Sequence, residues 1–155
     1  MKWLVFSDSH GRWEYMKQAV EEQKPDGVIH LGDVCRDMGR LVQMFPDLPV
    51  EMVRGNCDGS IDVPAEREIF LGGKRLWLLH GDAYHVKFGT GMLVSEAQAR
   101  GVDAVLFGHT HRPLCSREGR LWVLNPGTVK GEPRATCGVV ELEGKELYCR
   151  TLVLR

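Results

Sequence analysis

Five short hydrophobic runs, each followed at once by a polar side chain, constrain the fold of this chain more than any other feature. The runs are Lys2–Phe6, Gly27–Gly32, Val50–Gly55, Arg75–Leu79 and Ala104–Gly108. Short apolar runs bounded by turn residues are typical of buried strands. In open α/β sheets, ligands bind outside the carboxyl ends of the strands. The pattern therefore predicts strands whose ends carry a functional site at one edge of a sheet.

The polar side chains that follow these runs are typical metal ligands. Three of them carry oxygen and four are imidazoles: Asp8, His10, Asp33, Asn56, His80, His109 and His111. Carboxylates suit Mg, Mn and Fe, and imidazole suits Zn, Fe, Ni and Mn. Seven ligands exceed one protein shell that keeps an open position, whereas two ions that share a carboxylate use them well. Since paired ions stabilise both oxygens of an in-line displacement, the pattern indicates phosphoester hydrolysis.

The order of the remaining elements predicts an α/β protein. Apolar residues at helical spacing predict helices at Gly11–Gln23, around Met38 to Phe45, and at Thr90–Arg100. Three later segments read as hairpins with turns at Gly72-Gly73, Glu118-Gly119 and Glu143–Lys145. A parallel βαβαβ half followed by hairpins favours two stacked mixed sheets with helices outside.

Composition and charge limit the classes of protein that fit. The chain has 155 residues, which suits one domain over positions 1–155. A net charge of −1 argues against broad attraction to nucleic acid or to a membrane surface. There is no apolar run of about 20 residues and no signal-peptide pattern, so we expect a cytoplasmic protein. The five cysteines lack a CxxC pair, which disfavours a thiolate zinc site.

Motifs at the same strand ends resemble those of a known family. They are D-S-H at Asp8–His10, G-D at Gly32-Asp33, G-N-C-D at Gly55–Asp58, H-G at His80-Gly81 and G-H-T-H at Gly108–His111. Together they are similar to the calcineurin-like metallophosphoesterase superfamily, and more narrowly to its small bacterial and archaeal phosphodiesterase branch. The resemblance extends from Met1 to about Arg134. It implies a four-layer α-β-β-α sandwich of two stacked mixed sheets.

The resemblance also implies a cofactor and a reaction. It assigns one metal to Asp8, His10, Asp33 and His111, and the other to Asp33, Asn56, His80 and His109. Asp33 is then the shared ligand, and a bridging water or hydroxide is the nucleophile. We expect two divalent ions per chain, with Mn favoured over Fe, Ni or Zn, and a small phosphoester substrate. The alternatives are a phosphomonoesterase and a non-catalytic protein-binding scaffold like the retromer subunit that resembles these enzymes.

One position departs from the pattern of the wider family. Many members carry His where this chain has Cys57, and that His is the usual candidate for protonating the leaving group. A thiol is a weak donor with an ordinary pKa of about 8.5, so esters with acidic leaving groups are expected to react best. Asp58 is expected to order the loop or a neighbouring histidine, and His85 is a candidate to support the site by a hydrogen bond or to act as the acid. His30, inside a strand, is predicted to be a core histidine.

Overall fold

A computed structural model describes residues 1–59, 61–131 and 134–155. The first half alternates strands and helices: β1 (Lys2–Phe6), α1 (Trp13–Gln23), β2 (Gly27–His30), α2 (Met38–Met44) and β3 (Val50–Met52). The second half begins with β4 (Glu66–Leu71), β5 (Lys74–Leu79), α3 (Gly91–Arg100) and β6 (Ala104–Leu106). It closes with β7 (Pro113–Glu118), β8 (Leu121–Pro126), β9 (Thr136–Glu143) and β10 (Glu146–Val153). Short 3-10 helices occupy Cys35–Asp37, Asp82–Tyr84 and Val86–Phe88.

The strands form two five-stranded mixed sheets. The first sheet has the order β10-β9-β1-β2-β3, and the second has the order β4-β5-β6-β8-β7. Strands β1, β2 and β3 are parallel, as are β5, β6 and β8. The last hairpin returns to the first sheet, where Val139 pairs with Leu4. The carboxyl ends of the parallel strands in each sheet therefore point to one end of the molecule.

Apolar side chains divide between three layers because successive residues of a strand face opposite sides. On β1, Val5 points to the core between the sheets, where it joins Leu78 and Leu106. Leu4, on the other face, packs with the outer helices, including Met16 of α1. A matching outer layer joins the second sheet to α3. The predicted four-layer α-β-β-α sandwich is confirmed.

Several predicted boundaries are wrong by two or three residues, and backbone geometry explains why. Helix α1 begins at Trp13 rather than at position 11, because His10 (φ 44°) and Gly11 (φ 87°) have left-handed backbone conformations. Strands β2, β3 and β6 end before the predicted limits, since the chain leaves the sheet to form the loops that carry the polar residues. Among the described residues, no helix has the length and apolarity needed to cross a membrane.

Candidate metal centre

The seven predicted ligands come from two sheets, so the prediction that they share one edge of one sheet is wrong. Three of the contributing strands, β1, β2 and β3, belong to the first sheet, whereas β5 and β6 belong to the second. Strand ends within one sheet form a row spaced about 4.8 Å apart, which spreads ligands along a line. Two stacked sheets instead bring ligands together from opposite sides.

Asp8 lies at the junction of the two sheets and is fully buried. Its Oδ2 accepts hydrogen bonds from Ser7 Oγ at 2.6 Å and from the backbone N–H of His109 at 3.1 Å. Its backbone carbonyl accepts a hydrogen bond from Thr128 Oγ1 at 2.8 Å. The other carboxylate oxygen, Oδ1, has no hydrogen-bond partner in the described part of the chain and lies 3.2 Å from His111 Nε2. Asp8 is thus rigidly held with one oxygen left for a ligand.

Asp33 is held by a loop that Asp58 organises. Asp33 Oδ1 accepts the backbone N–H of Cys57 at 2.8 Å. Asp58 in turn accepts the backbone N–H groups of Asp33 at 2.9 Å, Gly55 at 2.6 Å and Cys35 at 2.7 Å. Burial raises the pKa of Asp33, but its contacts with His80 and Cys57 outweigh this and hold the pKa well below the usual range. Asp33 is therefore ionised at neutral pH.

His80 points its Nε2 atom at two carboxylates. Its Nδ1 lies 2.8 Å from the carbonyl oxygen of Leu31, which only accepts, so Nδ1 carries a proton and donates it. Nε2 lies 3.4 Å from Asp33 Oδ2 and 3.8 Å from Asp8 Oδ1. Burial lowers the pKa of His80, but the hydrogen bond to Asp33 and the two carboxylate charges raise it overall. The carboxylates therefore favour a cation at this position, either the proton of Nε2 or a metal ion.

The ligand atoms gather into two groups of three. In each group the atoms lie within 4.8 Å of one another; the groups are Asp8 with His10 and His111, and Asp8 with Asp33 and His80. His109 lies next to the second group, with its Nδ1 3.2 Å from His80 Nε2. In the described residues His10 Nε2 is buried without a hydrogen-bond partner, like Asp8 Oδ1. Asp8 is common to both groups, and a shared role for Asp33 stays a prediction.

Three glycines allow these loops to approach one another closely. A Cβ at Gly32 would lie 2.6 Å from the Cα of Gly55, and a Cβ at Gly55 would lie 2.7 Å from the backbone nitrogen of Asp33. A Cβ at Gly108 would collide with Ser7 Oγ. Gly32 and Gly55 therefore admit a neighbouring loop, and this close approach sets the spacing of the carboxylates.

Left-handed backbone geometry is concentrated at the candidate ligands. Of the seven described non-glycine residues with positive φ, five belong to the predicted set: Asp8 (55°), His10 (44°), Asp33 (48°), His109 (72°) and His111 (62°). Such conformations are costly for residues with a Cβ and cluster at functional sites. Sharp turns at successive residues let closely spaced side chains point at a common centre.

A buried relay missed by the sequence analysis supports the first ligand loop. The backbone N–H of Gly32 donates to His30 Nδ1 at 3.1 Å, so the proton of the neutral ring is on Nε2. Nε2 lies 3.0 Å from Ser9 Oγ, and Ser9 Oγ donates to Asp37 Oδ2 at 2.6 Å. Asp37 also accepts the backbone N–H of Gly11 at 2.8 Å. Asp37 gave no signal in the sequence, because an acidic residue before a helix is commonplace.

The remaining predicted site residues occupy the rim. Asn56 and Cys57 are exposed, and Asn56 Nδ2 lies 3.7 Å from Cys57 Sγ. Contact with Asp33 and partial burial raise the pKa of the Cys57 thiol, which keeps it protonated at neutral pH. His85 is exposed in a left-handed turn between two 3-10 helices, and the contacts described for it are to its backbone rather than to the ligand cluster.

The chemistry of the donor set fits a cation. Buried carboxylate oxygens and imidazole nitrogens converge, and two of these atoms, Asp8 Oδ1 and His10 Nε2, have no hydrogen-bond partner in the described residues. Burying charge without a partner is costly, and a divalent ion supplies that partner. The nitrogen–oxygen set, free of thiolate, suits first-row divalent metals.

Comparisons with known proteins agree with this geometry. The model of the calcineurin-like phosphoesterase superfamily domain matches residues 1–145. A probable metallophosphoesterase, YsnB of Bacillus subtilis, is 31% identical over 136 residues, which cover 84% of this chain and 76% of YsnB. Phosphodiesterase YfcE of Escherichia coli is 28% identical, with 91% of this chain and 88% of YfcE covered.

Solved structures share the fold. A predicted phosphoesterase from Streptococcus pneumoniae superposes with a TM-score of 0.81 at 26% identity, covering 98% of this chain and 88% of that chain. Zinc-complexed Vps29 from Entamoeba histolytica gives a TM-score of 0.81 at 18% identity, covering 99% of each chain. The fold and these relatives define the metallophosphoesterase class of proteins. The chain belongs to the calcineurin-like phosphoesterase superfamily, as its resemblance at the strand ends had implied.

Proposed function

We propose that this protein is a phosphodiesterase that holds two divalent metal ions among its seven strand-end residues. The observation that carries the proposal is Asp8 Oδ1, which is buried without a hydrogen-bond partner among the described residues. The Nε2 atoms of His111 and His80 approach it at 3.2 and 3.8 Å. A buried carboxylate oxygen that faces imidazole nitrogens needs a proton or a metal ion between them, and a divalent ion bound at Oδ1 can satisfy the oxygen and both nitrogens together.

The resemblance to the family assigns the residues to two ions. One ion would be held by Asp8, His10, Asp33 and His111, and the other by Asp33, Asn56, His80 and His109. Asp33 would be the shared ligand in that assignment, and its ionised carboxylate, 3.4 Å from His80 Nε2, supports this role. When bound, divalent ions polarise phosphoryl oxygens and lower the pKa of an attacking water. Mn suits this mixture of carboxylate, amide and imidazole, with Fe, Ni or Zn as alternatives.

Asn56, Cys57 and Asp58 form the rim that meets the substrate. The exposed Asn56 keeps its Oδ1 for an ion, and Asp58 positions the loop through three backbone N–H groups. The Cys57 thiol stays protonated but is a poor acid because its pKa is raised. Exposed His85 is the remaining candidate to protonate a leaving group.

Metal add-back with a pair of matched substrates tests the proposal. Chelator-stripped protein is given Mn, Fe, Ni or Zn, and metal content and turnover are measured for bis(p-nitrophenyl) phosphate and p-nitrophenyl phosphate. We expect two tightly held ions per chain and faster hydrolysis of the diester. Faster hydrolysis of the monoester makes the protein a phosphomonoesterase. Fewer than one bound ion with no turnover favours the non-catalytic scaffold.

An Asp33→Asn variant tests the shared ligand. The amide keeps an oxygen to accept the Cys57 N–H but loses the negative charge that two ions share. We expect one ion or none per chain and a loss of activity of about 10²–10³-fold, as for removal of one major electrostatic group. The control is Asp47→Ala, an exposed aspartate after α2. Near-normal turnover of Asp33→Asn with added metal contradicts the two-metal arrangement.

A further inference from the structure

A cavity of about 730 Å³ opens beside the metal centre. Thr110 lines it and lies in the chain between the candidate ligands His109 and His111. Asn125 closes the same side, because its Nδ2 donates to the Gly108 carbonyl at 3.1 Å and to Thr110 Oγ1 at 3.0 Å. Pockets for small molecules span about 300–1,000 Å³. The cavity is therefore large enough for a substituted ring attached to a phosphate at the metal centre.

Phe88 offers an aromatic surface at this cavity. It lines the cavity and is 93% exposed, so its ring contributes almost nothing to the core. The backbone beneath it is fixed, because Val86 is buried and the N–H of Phe88 donates to the His85 carbonyl at 2.9 Å. Leu114, a further apolar wall, is 37% exposed. An exposed ring on a held backbone beside a cavity is suited to stacking a planar group.

The charges of the cavity are all positive. Lys87 and Arg112 line it and are exposed, and no carboxylate is present among the described residues that line it. In a chain of net charge −1, such a local excess favours an anionic ligand.

A second cavity, on the Asn56 and His80 side of the centre, has the opposite character. Its volume is about 300 Å³, and its lining includes the carboxylates Glu66 and Asp82 as well as Arg54. The centre is therefore flanked by a small cavity with acidic groups and a large cavity with an aromatic ring and two cations. A phosphodiester carries two ester substituents (arms). Because the two cavities differ in volume and in charge, they suit different substituents.

We propose that the larger cavity binds one arm of the substrate, so that the preferred substrates are phosphodiesters with one planar aromatic arm that carries a negative charge. Phe88 stacks on the ring, and Lys87 and Arg112 attract the charge. The inference rests on the proposed phosphodiesterase function and assigns it a substrate class.

Three diesters with the same leaving group test the assignment. Each releases p-nitrophenolate, and the retained arm is methyl, phenyl or p-carboxyphenyl. For each protein, the kcat/KM of one diester is divided by that of another. Differences in the intrinsic reactivity of the diesters cancel when this ratio is compared between wild type and variants. Phe88→Ala should lower the phenyl-to-methyl ratio by roughly 5- to 100-fold, as for loss of a stacking aromatic. The matched control is Phe70→Ala, which removes a 69%-exposed phenylalanine on β4.

A double variant tests whether the two cations attract the charge of the substrate. Lys87→Ala combined with Arg112→Ala should lower the p-carboxyphenyl-to-phenyl ratio by about 2- to 10-fold, and salt should reduce the difference because exposed charges are screened. Lys145→Ala, an exposed cation in the β9–β10 turn, is the control. Ratios that are the same in the wild type and these variants overturn the assignment.

Failure of the proposed function is distinguishable from failure of this inference. If metal-loaded wild type hydrolyses none of the three diesters, the phosphodiesterase proposal fails. Calorimetric titration with p-carboxyphenyl phenyl phosphate then decides the cavity assignment by itself. Weaker binding to Phe88→Ala than to Phe70→Ala supports it. Equal affinity for both variants, or no binding to the wild type, refutes it.

Discussion

Replacing Asp58 by Ala should destabilise the metal-free protein by about 3 kcal/mol. The carboxylate accepts backbone N–H groups from Asp33, Cys35 and Gly55 at 2.6–2.9 Å. Burial raises the pKa of Asp58, but these N–H groups lower it overall, so the acceptor is charged at neutral pH. Hydrogen bonds to charged groups contribute about 1.5–3 kcal/mol each. We use the lower value for each of the three hydrogen bonds and then reduce their sum. The reduction is needed because the carboxylate is only half-buried, so that water replaces some of the lost hydrogen bonds in the variant.

Urea unfolding of chelator-treated protein at pH 7 measures this loss without a contribution from bound metal. Asp58→Asn keeps one acceptor oxygen but points an amide donor at an N–H group, and it should lose about half as much. Asp47→Ala, the exposed control, should stay within about 0.5 kcal/mol of wild type. Metal affinity should also fall by about 10–100-fold, because Asp58 orients the loop that holds Asp33. A loss below 1 kcal/mol for Asp58→Ala with an unchanged m-value refutes the assigned role.

Three further outcomes are expected. Burial lowers the pKa of His30 from 6.5 to about 4, so the unfolded chain binds more protons than the folded one in this window. His30 should therefore lower the stability of metal-free wild type by about 3 kcal/mol as pH drops from 6.5 to 4. In urea unfolding, His30→Gln should lose this share of the pH dependence and keep the share that comes from the aspartates. Gly108→Ala should weaken Mn binding about 10–100-fold in a competitive titration, because the new Cβ displaces the Ser7 hydroxyl that orients Asp8. Gly39→Ala is the control and should leave Mn binding unchanged, since its Cβ meets nothing within 4 Å. Cys57→His should reduce the dependence of log rate on leaving-group pKa, because a general acid accelerates the loss of poor leaving groups by about 10²–10⁴-fold. Cys57→Ser should change this dependence little. If the wild type shows a flat dependence while chemistry is rate-limiting, another acid is present, and His85 is the residue to replace next.

Local periodicity determined the layers of this fold. The apolar runs that end at Phe6 and Leu79 are strands at the predicted positions, and the turn at Gly72-Gly73 has positive φ at both residues (56° and 83°), as a tight hairpin requires. The helices lie where apolar residues recur at helical spacing. These features depend on near neighbours in the chain, so the sequence alone predicts them. The polar residues after each strand likewise identified the candidate ligands before any distance was known.

Only the tertiary structure decided how those residues meet. The pairing of two sheets brings His80 and Asp8 within 3.8 Å across 72 positions of the chain, and no local pattern encodes that approach. The same holds for Asp37, which supports the first ligand loop through Ser9, and for Gly55, which admits the loop of Asp33. Contacts between distant segments depend on the packing of whole layers. The sequence therefore determined which residues stand at the strand ends, and the stacked sheets decided which of their atoms face one another.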